Sequence, residues 1–241
     1  MLQKTRAIIL HSIHYGDTSL IIHAFTEKWG RMAFLLKGAR KSRKGNRSSM
    51  FQPLFLLDLD VYYKESRDLQ WIKDANYIDR PPAGNQDITR STQAIFISEV
   101  LMRTLKEEEA NGQMFHFILN SIDYLNSTED PSPSFHLLFL FKLTRYLGFY
   151  PMNNFSNRNE FFNTQAGSFS SIPMSADSER ETQIASCWNS CFSSDYSVAD
   201  QLFINKKTRN LFLNSLLEFY RIHLQTLNDL KSLEVLRTVY E

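Results

Sequence analysis

The sequence predicts an α+β protein in which an N-terminal five-stranded β-barrel is followed by an all-α domain. Residues 5–77 alternate apolar and polar side chains in short runs between turn residues, a pattern typical of β-strands. Beyond residue 87 the apolar side chains recur at helical spacing instead. Pro81 and Pro82 interrupt both patterns, so we place the boundary there, with one domain at residues 1–80 and a second at 81–241.

Five strands are expected in the first domain, at residues 6–13, 18–26, 31–37, 53–63 and 69–78. Turn residues separate them, because Gly16 and Asp17 follow the first strand, Gly30 precedes the third, and a polar turn precedes the fifth. A long basic loop follows the third strand. Five short antiparallel strands fit a small closed barrel, and the oligonucleotide-binding (OB) fold is the leading candidate.

Helices are expected from there to the C-terminus, beginning with three at residues 87–106, 113–125 and 133–147. Asp87 is a suitable N-cap for the first helix and Ser132 for the third, which Gly148 ends. We expect these three helices to pack together. An irregular insertion rich in Asn and Ser follows at about residues 152–175, with short strands near 160–162 and 168–170, and two further helices are expected at 177–192 and 206–227.

Positive charge is concentrated in the first domain. No acidic residue lies between Glu27 and Asp58, and residues 1–80 contain 14 Lys and Arg against 8 Asp and Glu, whereas residues 81–241 contain 13 against 18. Alternation along the third strand turns its cations away from the core. The pattern predicts a surface that binds a polyanion, with a merely solvated charged loop as the alternative. The residues expected to contact the polyanion are Arg31, Lys37, Arg40, Lys41, Arg43, Lys44 and Arg47.

Aromatic side chains are interleaved with this charge, and an exposed ring among them is a candidate for stacking on nucleic-acid bases. The positions of Phe25, Phe34 and Phe55 within the strands favour packing in the core. Trp29 lies beside the turn residue Gly30 and is therefore the ring that we expect to be exposed and to bind the polyanion.

The sequence contains no motif for catalysis. Its six histidines are scattered without metal-ligand spacing, and Cys187 and Cys191 are too few thiols for a structural zinc site. No phosphate-binding lysine loop or nucleophile elbow occurs. We therefore expect a protein that is not an enzyme and needs no cofactor or metal. The low cysteine content and the lack of a signal peptide or membrane-spanning run predict a cytoplasmic location.

Several segments of the chain form a recognisable set. They are Ala7-Ile-Ile-Leu-His11, Tyr15-Gly-Asp-Thr-Ser-Leu-Ile-Ile22, Phe25-Thr-Glu-Lys-Trp-Gly-Arg31, Leu36 to Arg40, Ser42-Arg43, Phe51-Gln-Pro53, Tyr146-Leu-Gly148 and Arg209 to Ser232. Together they resemble the RecO family of bacterial DNA repair and recombination mediators. The resemblance covers most of the chain and is densest in the first 55 residues, where the block Lys37-Gly38-Ala39-Arg40 is specific in its context.

The resemblance implies an OB fold followed by a helical domain, binding of single- and double-stranded DNA, and annealing of complementary strands without nucleotide hydrolysis. It also implies work at the nucleoid with RecR and single-stranded DNA-binding protein to load RecA, with RecF as a further partner. The DNA surface of the family carries over onto Arg31, Lys37, Arg40, Lys41, Arg43 and Arg47. Family members often carry a four-cysteine zinc module after the Leu-Gly segment, but residues 152–175 contain no cysteine, so this chain resembles a zinc-free member.

The helical domain of the family is implied to bind the acidic tail of single-stranded DNA-binding protein, and Lys142 and Arg145 are the candidates here. Residues and resemblance together favour a mediator whose basic barrel face holds two strands and screens their repulsion while the bases pair. The alternative is a protein-interaction adaptor whose basic loop binds an acidic partner protein, with only incidental contact to DNA.

Overall fold

The computed structural model describes residues 1–39, 47–78, 87–105, 109–225 and 227–239. The contacts between residues group the chain into two compact units, residues 1–129 and residues 130–241. The domain boundary predicted at residues 80 and 81 lies outside the described residues.

Five strands form a closed barrel in the first unit, which confirms the predicted fold class. They pair in the order β1-β2-β3-β5-β4, with β1 also pairing with β4, and only the β3–β5 pair is parallel. This is a five-stranded barrel of the OB type. The strands are β1 (Leu2–Tyr15), β2 (Ser19–Thr26), β3 (Gly30–Leu36), β4 (Leu56–Tyr62) and β5 (Leu69–Tyr77).

The length of β1 is what closes the barrel. Residues Leu2 to Ile8 pair with β4, and residues Ala7 to Tyr15 pair with β2. The strand β1 therefore joins β2 to β4 and closes the sheet. The register shifts between Ile9 and His11, and such a bulge bends a strand enough to serve two neighbours. The strand begins at Leu2, four residues before the predicted start.

Alternation along the strands fills the barrel with apolar side chains. Ile9, Ile22 and Phe34 are completely buried inside, as the period of two predicts. Phe25 is also buried, but on the outside of the barrel, where its ring lies 6.0 Å from that of Phe115. The outer face of the barrel is therefore covered at this position.

Two helices, α1 (Ile88–Thr104) and α2 (Gly112–Ser127), belong to the same unit as the barrel. Asp87 caps α1 as predicted, since its carboxylate accepts hydrogen bonds from the backbone N–H of Thr89 and Arg90. The third helix, α3 (Phe135–Tyr146), belongs to the second unit. The packing of the three helices against one another stays a prediction.

The cap of α3 also differs from the prediction. The helix begins at Phe135 with Ser134 as its N-cap residue, and the Ser134 side chain forms no capping hydrogen bond. The hydroxyl of Ser132 accepts a hydrogen bond from the Ser134 backbone N–H instead, so it organises the turn before the helix. At the other end Gly148 has a φ of 85°, and the Phe149 N–H bonds to the Thr144 carbonyl, which ends the helix as predicted.

The second unit is helical apart from one small hairpin, which lies in the predicted insertion. Phe162 of the hairpin stacks on Trp188 with ring centroids 4.0 Å apart, so the segment is anchored to the core of this unit. The helices near the C-terminus include two that the sequence analysis missed, α5 and α7. The elements are β6 (Phe161–Asn163), β7 (Ser168–Ser170), α4 (Ser178–Cys191), α5 (Ala199–Leu202), α6 (Lys206–Leu224) and α7 (Lys231–Val239). None of the described helices has the length and apolarity to span a membrane.

Candidate nucleic-acid interface

A row of apolar and aromatic side chains crosses the outside of the barrel. Ile13 pairs with Ile21, Ile21 with Leu35, Leu35 with Trp71, and Trp71 with Tyr62. Residues that pair directly across strands point to the same face, so these five side chains are neighbours. Trp71 is 40% exposed and Tyr62 is 47% exposed. We call these five residues the outer row; its two rings are open to solvent.

Two cations contact the ring of Trp71. The Lys37 ammonium lies 4.2 Å from the ring centroid, and the guanidinium carbon of Arg67 lies 5.3 Å from it. Each contact is within the range of a cation–π interaction. No carboxylate forms an ion pair with Lys37 or Arg67 in the described ranges. An exposed indole with two cations beside it combines a stacking surface with charges that attract phosphate.

Arg67 belongs to the loop of residues 64–68, which joins β4 to β5 and is held by a buried side chain. Gln70 is 1% exposed, and its amide oxygen accepts a hydrogen bond of 2.9 Å from the Lys64 backbone N–H. Its amide nitrogen donates to the carbonyls of Lys64 and Arg67. Because one side chain bonds to both ends of the loop, Arg67 is presented on a fixed backbone.

The predicted cations do not all lie on this open face. Lys37 does, at the end of β3. Arg31 lies on the outer face too, but it is half-buried and donates a 2.9 Å hydrogen bond to the Met102 carbonyl of α1. Arg47 is half-buried and forms a 2.7 Å ion pair with Asp74. Arg31 therefore lies on the outer face, as the alternation predicts, and the contact of Arg31 and Arg47 with a polyanion stays a prediction. Arg40, Lys41, Arg43 and Lys44 lie outside the described residues.

Trp29 is not the exposed ring that the sequence analysis predicted. It is half-buried against the barrel core and stacks on Tyr63, with ring centroids 4.5 Å apart and the planes nearly parallel. Trp71 takes the exposed position instead. The sequence did not indicate that Trp71 is exposed, because β5 places the polar Gln70 inside the barrel and the apolar Trp71 outside it. The polarity of the residues along this strand therefore predicts the wrong face for both side chains.

Two histidines lie side by side on the outer face, next to the outer row. His11 of β1 pairs with His23 of β2, and the ring centroids are 6.5 Å apart. Burial lowers the pKa of His23 from its ordinary value, and the nearby His11 and Arg31 lower it further. The lowered pKa favours a neutral His23 in the unliganded protein, so Arg31 is the fixed positive charge at this position.

The two partner-binding candidates of the second unit have different surroundings. Lys142 is half-buried, and its ammonium donates a 2.8 Å hydrogen bond to the Ser194 carbonyl. Burial lowers its pKa. Arg145 is exposed, with its guanidinium 4.4 Å from the ring centroid of Tyr150. Arg145 is the more accessible of the two for an acidic peptide, and its role remains a prediction.

The two thiols lie one helical turn apart on α4 and are both buried. Burial raises the pKa of Cys187 to about 11 and raises that of Cys191 well above its ordinary value. Within the part of the chain that the structure describes, no group of three or more His, Cys, Asp or Glu side chains is arranged to hold a metal ion.

Comparison with known proteins gives a consistent result over the whole chain. Residues 1–81 match the family model "Recombination protein O N terminal", and residues 85–182 match "Recombination protein O C terminal". The chain is 33% identical over 241 residues to the DNA repair protein RecO of Christiangramia forsetii. It is 32% identical over 242 residues to the DNA repair protein RecO of Bacteroides fragilis, and both alignments cover 100% of each chain.

Proposed function

This chain belongs to the RecO family of DNA repair proteins, and on that premise we propose that it is a non-enzymatic mediator that binds DNA and anneals complementary strands. In this role it holds single strands on the outside of its barrel and also binds double-stranded DNA. Together with RecR it helps to load RecA onto DNA that is covered by single-stranded DNA-binding protein, with RecF as a further partner. Such work takes place in the cytoplasm, at the nucleoid.

The observation that carries this proposal is the exposed ring of Trp71 between Lys37 and Arg67. Proteins that bind single strands without sequence preference combine a cationic path for the backbone with rings on which bases stack. Both components meet here on the outside of an OB barrel, the face that binds oligonucleotides in this fold. The bases of a duplex are already stacked on each other, so an exposed ring favours a single strand as the primary ligand.

Annealing follows from the same surface. Two complementary strands repel each other through their phosphates, and the cations of the barrel lower that repulsion. Stacking on one ring is worth about 1–3 kcal/mol per base, which holds a base weakly enough for exchange into a forming duplex. The barrel therefore presents bases in a state from which they can pair.

The annealing activity is tested with two complementary oligonucleotides, one carrying a fluorophore and the other a quencher. We expect the purified chain to accelerate quenching at low salt and to lose this effect as the salt concentration rises. If pairing is not accelerated while an acidic partner protein is still captured, the adaptor function replaces this proposal.

The stacking role of Trp71 gives a separate prediction. Replacing Trp71 with Leu keeps an apolar side chain on the outer row but removes the indole, and we expect single-strand affinity to fall about 5- to 150-fold. Fluorescence anisotropy with a labelled oligonucleotide measures the affinity. Phe155→Leu is the control, since Phe155 is an aromatic of the second unit with 41% exposure. Equal affinities for both variants would exclude Trp71 from the binding surface.

In the second unit we propose that Arg145 contributes to binding the acidic tail of single-stranded DNA-binding protein. Its exposed guanidinium is the feature that supports this role. Lys142 is a weaker candidate because its ammonium is already bonded to a backbone carbonyl.

A further inference from the structure

A cleft of about 570 Å³ opens beside the outer row, and its walls belong entirely to the first compact unit. The walls come from the turn between β2 and β3, the strand β3, the loop 64–68 and the end of α1. This volume lies within the usual range for pockets that bind one small molecule. The cleft is too small for a folded partner and large enough for one nucleotide.

The cleft contains a half-buried cation, the guanidinium of Arg31. Arg31 lines it, and the hydrogen bond to the Met102 carbonyl fixes the guanidinium while using one of its five N–H donors. Lys28 also lines the cleft and is exposed. A guanidinium in a concave, partly desolvated position binds a phosphate more strongly than one in open solvent.

The cleft also has an aromatic wall. Trp29 and Tyr63 both line it, and their parallel stacking gives a flat apolar surface with a fixed orientation. Carboxylates line the cleft as well, at Glu65, Asp68 and Glu109. A carboxylate accepts hydrogen bonds from the exocyclic amino group of a base. Cations for a phosphate, rings for a base and acceptors for its amino group occur in one cavity, which fits a nucleotide better than a plain polyanion.

Arg67 connects this cleft to the outer row. Its side chain contributes to the lining of the cleft, and the same guanidinium stands over Trp71. A single strand of DNA with one base on Trp71 and a phosphate near Arg67 therefore reaches the mouth of the cleft with its next nucleotides.

We propose that the cleft receives a single unstacked nucleotide of the bound strand, with its phosphate at Arg31 and Lys28 and its base against Trp29 and Tyr63. This inference rests on the proposed function, because it requires a single strand on the outer row. It assigns a separate role to Lys28 and Arg31 among the cations between Glu27 and Asp58. These two bind one nucleotide in a cavity, whereas Lys37 and the other cations bind the backbone along its length.

The test is a scan with 2-aminopurine, a base whose fluorescence depends on stacking, placed at each position in turn of a short oligonucleotide. We expect one position to give a fluorescence distinct from the others on binding. Lys28→Ala should abolish that distinct signal, because it removes one of the two cations that bind the phosphate in the cleft. Lys28 is exposed, so its replacement should have little effect on the fold. Arg31→Gln should have the same effect. Lys4→Ala should preserve the signal, because Lys4 is an exposed cation of the barrel that does not line the cleft.

A second arm separates the cleft from the outer row. Trp71→Leu should change the fluorescence at a neighbouring position and weaken binding, whereas Lys28→Ala should change the position in the cleft. If all positions respond alike, or if Lys28→Ala and Arg31→Gln leave the distinct position unchanged, the cleft is not a nucleotide site although strand binding and annealing persist. If the wild-type chain binds no oligonucleotide, the proposed function and this inference both fail.

Discussion

Replacing Arg40, Lys41, Arg43 and Lys44 together with alanine is expected to flatten the salt dependence of single-strand binding. With about five phosphates neutralised, the logarithm of the binding constant should fall with the logarithm of salt at a slope of about −3.5, since each contact to a single strand contributes about −0.7. Loss of the four side chains should flatten this slope markedly, because each contact that is removed takes away about −0.7. Anisotropy titrations across a salt series measure the slope, and circular dichroism verifies that the barrel is folded.

The control for this variant removes the same charge elsewhere. Changing Lys4, Arg180, Lys206 and Lys207 to alanine also lowers the net charge by four, and all four side chains are exposed. We expect this control to retain most of the wild-type slope, because the contribution comes from local phosphate contacts and not from net charge. If both variants lose the same slope, binding depends on overall charge and the basic loop is not the DNA surface.

Acid should destabilise the second unit through one histidine. His136 of α3 is 2% exposed, and burial lowers its pKa to about 3, with a further contribution from the nearby Arg209. A hydrogen bond to the Pro133 carbonyl raises the pKa slightly but does not reverse the shift. In the unfolded chain an ordinary histidine has a pKa of about 6.5. Between these two values the unfolded chain binds a proton that the folded chain does not.

The sign of the effect follows from this difference in proton binding. Stability from His136 is fully present above about pH 6.5 and is lost as the pH falls from there toward about 3, at about 1.4 kcal/mol per pH unit. Between pH 7 and pH 5 the loss is about 2 kcal/mol, which is a large part of the stability of a small domain.

Urea denaturation at pH 7 and pH 5 measures this loss. His136→Leu has a similar volume and no titrating group, so its stability should fall less between the two pH values than that of the wild type, whatever its stability at pH 7. His14→Gln changes an exposed histidine of β1 and should keep the wild-type difference. A His136→Leu variant with the full wild-type loss would show that other groups cause the acid sensitivity.

The barrel was predictable because its strands obey the alternation that burial imposes. Phe34 and Ile22 face the interior at the positions that a period of two requires, and Asp87 precedes the first helix as a cap. These signals are local in sequence. A residue and its near neighbours are enough to determine them.

The parts of the site that were not predictable depend on contacts between distant segments. Arg31 bonds to Met102, which is 71 residues away, and no spacing within β3 indicates that partner. Trp29, in the turn before β3, stacks on Tyr63, which follows β4, so the ring that was expected to be exposed forms part of a cleft wall. In β5, Gln70 is buried because it holds a loop, and this reversed the polarity pattern that would have assigned Trp71 to the surface.

The burial of both thiols has a practical consequence for chemical labelling. With the pKa of Cys187 raised to about 11 and that of Cys191 raised well above its ordinary value, little thiolate forms at neutral pH, and alkylating dyes react with thiolate. A cysteine introduced at an exposed position of the barrel would therefore react with a maleimide dye far faster than either native thiol. A fluorophore can be attached to the barrel at a chosen place without first removing the natural cysteines, and neither of them favours oxidative crosslinking during such work.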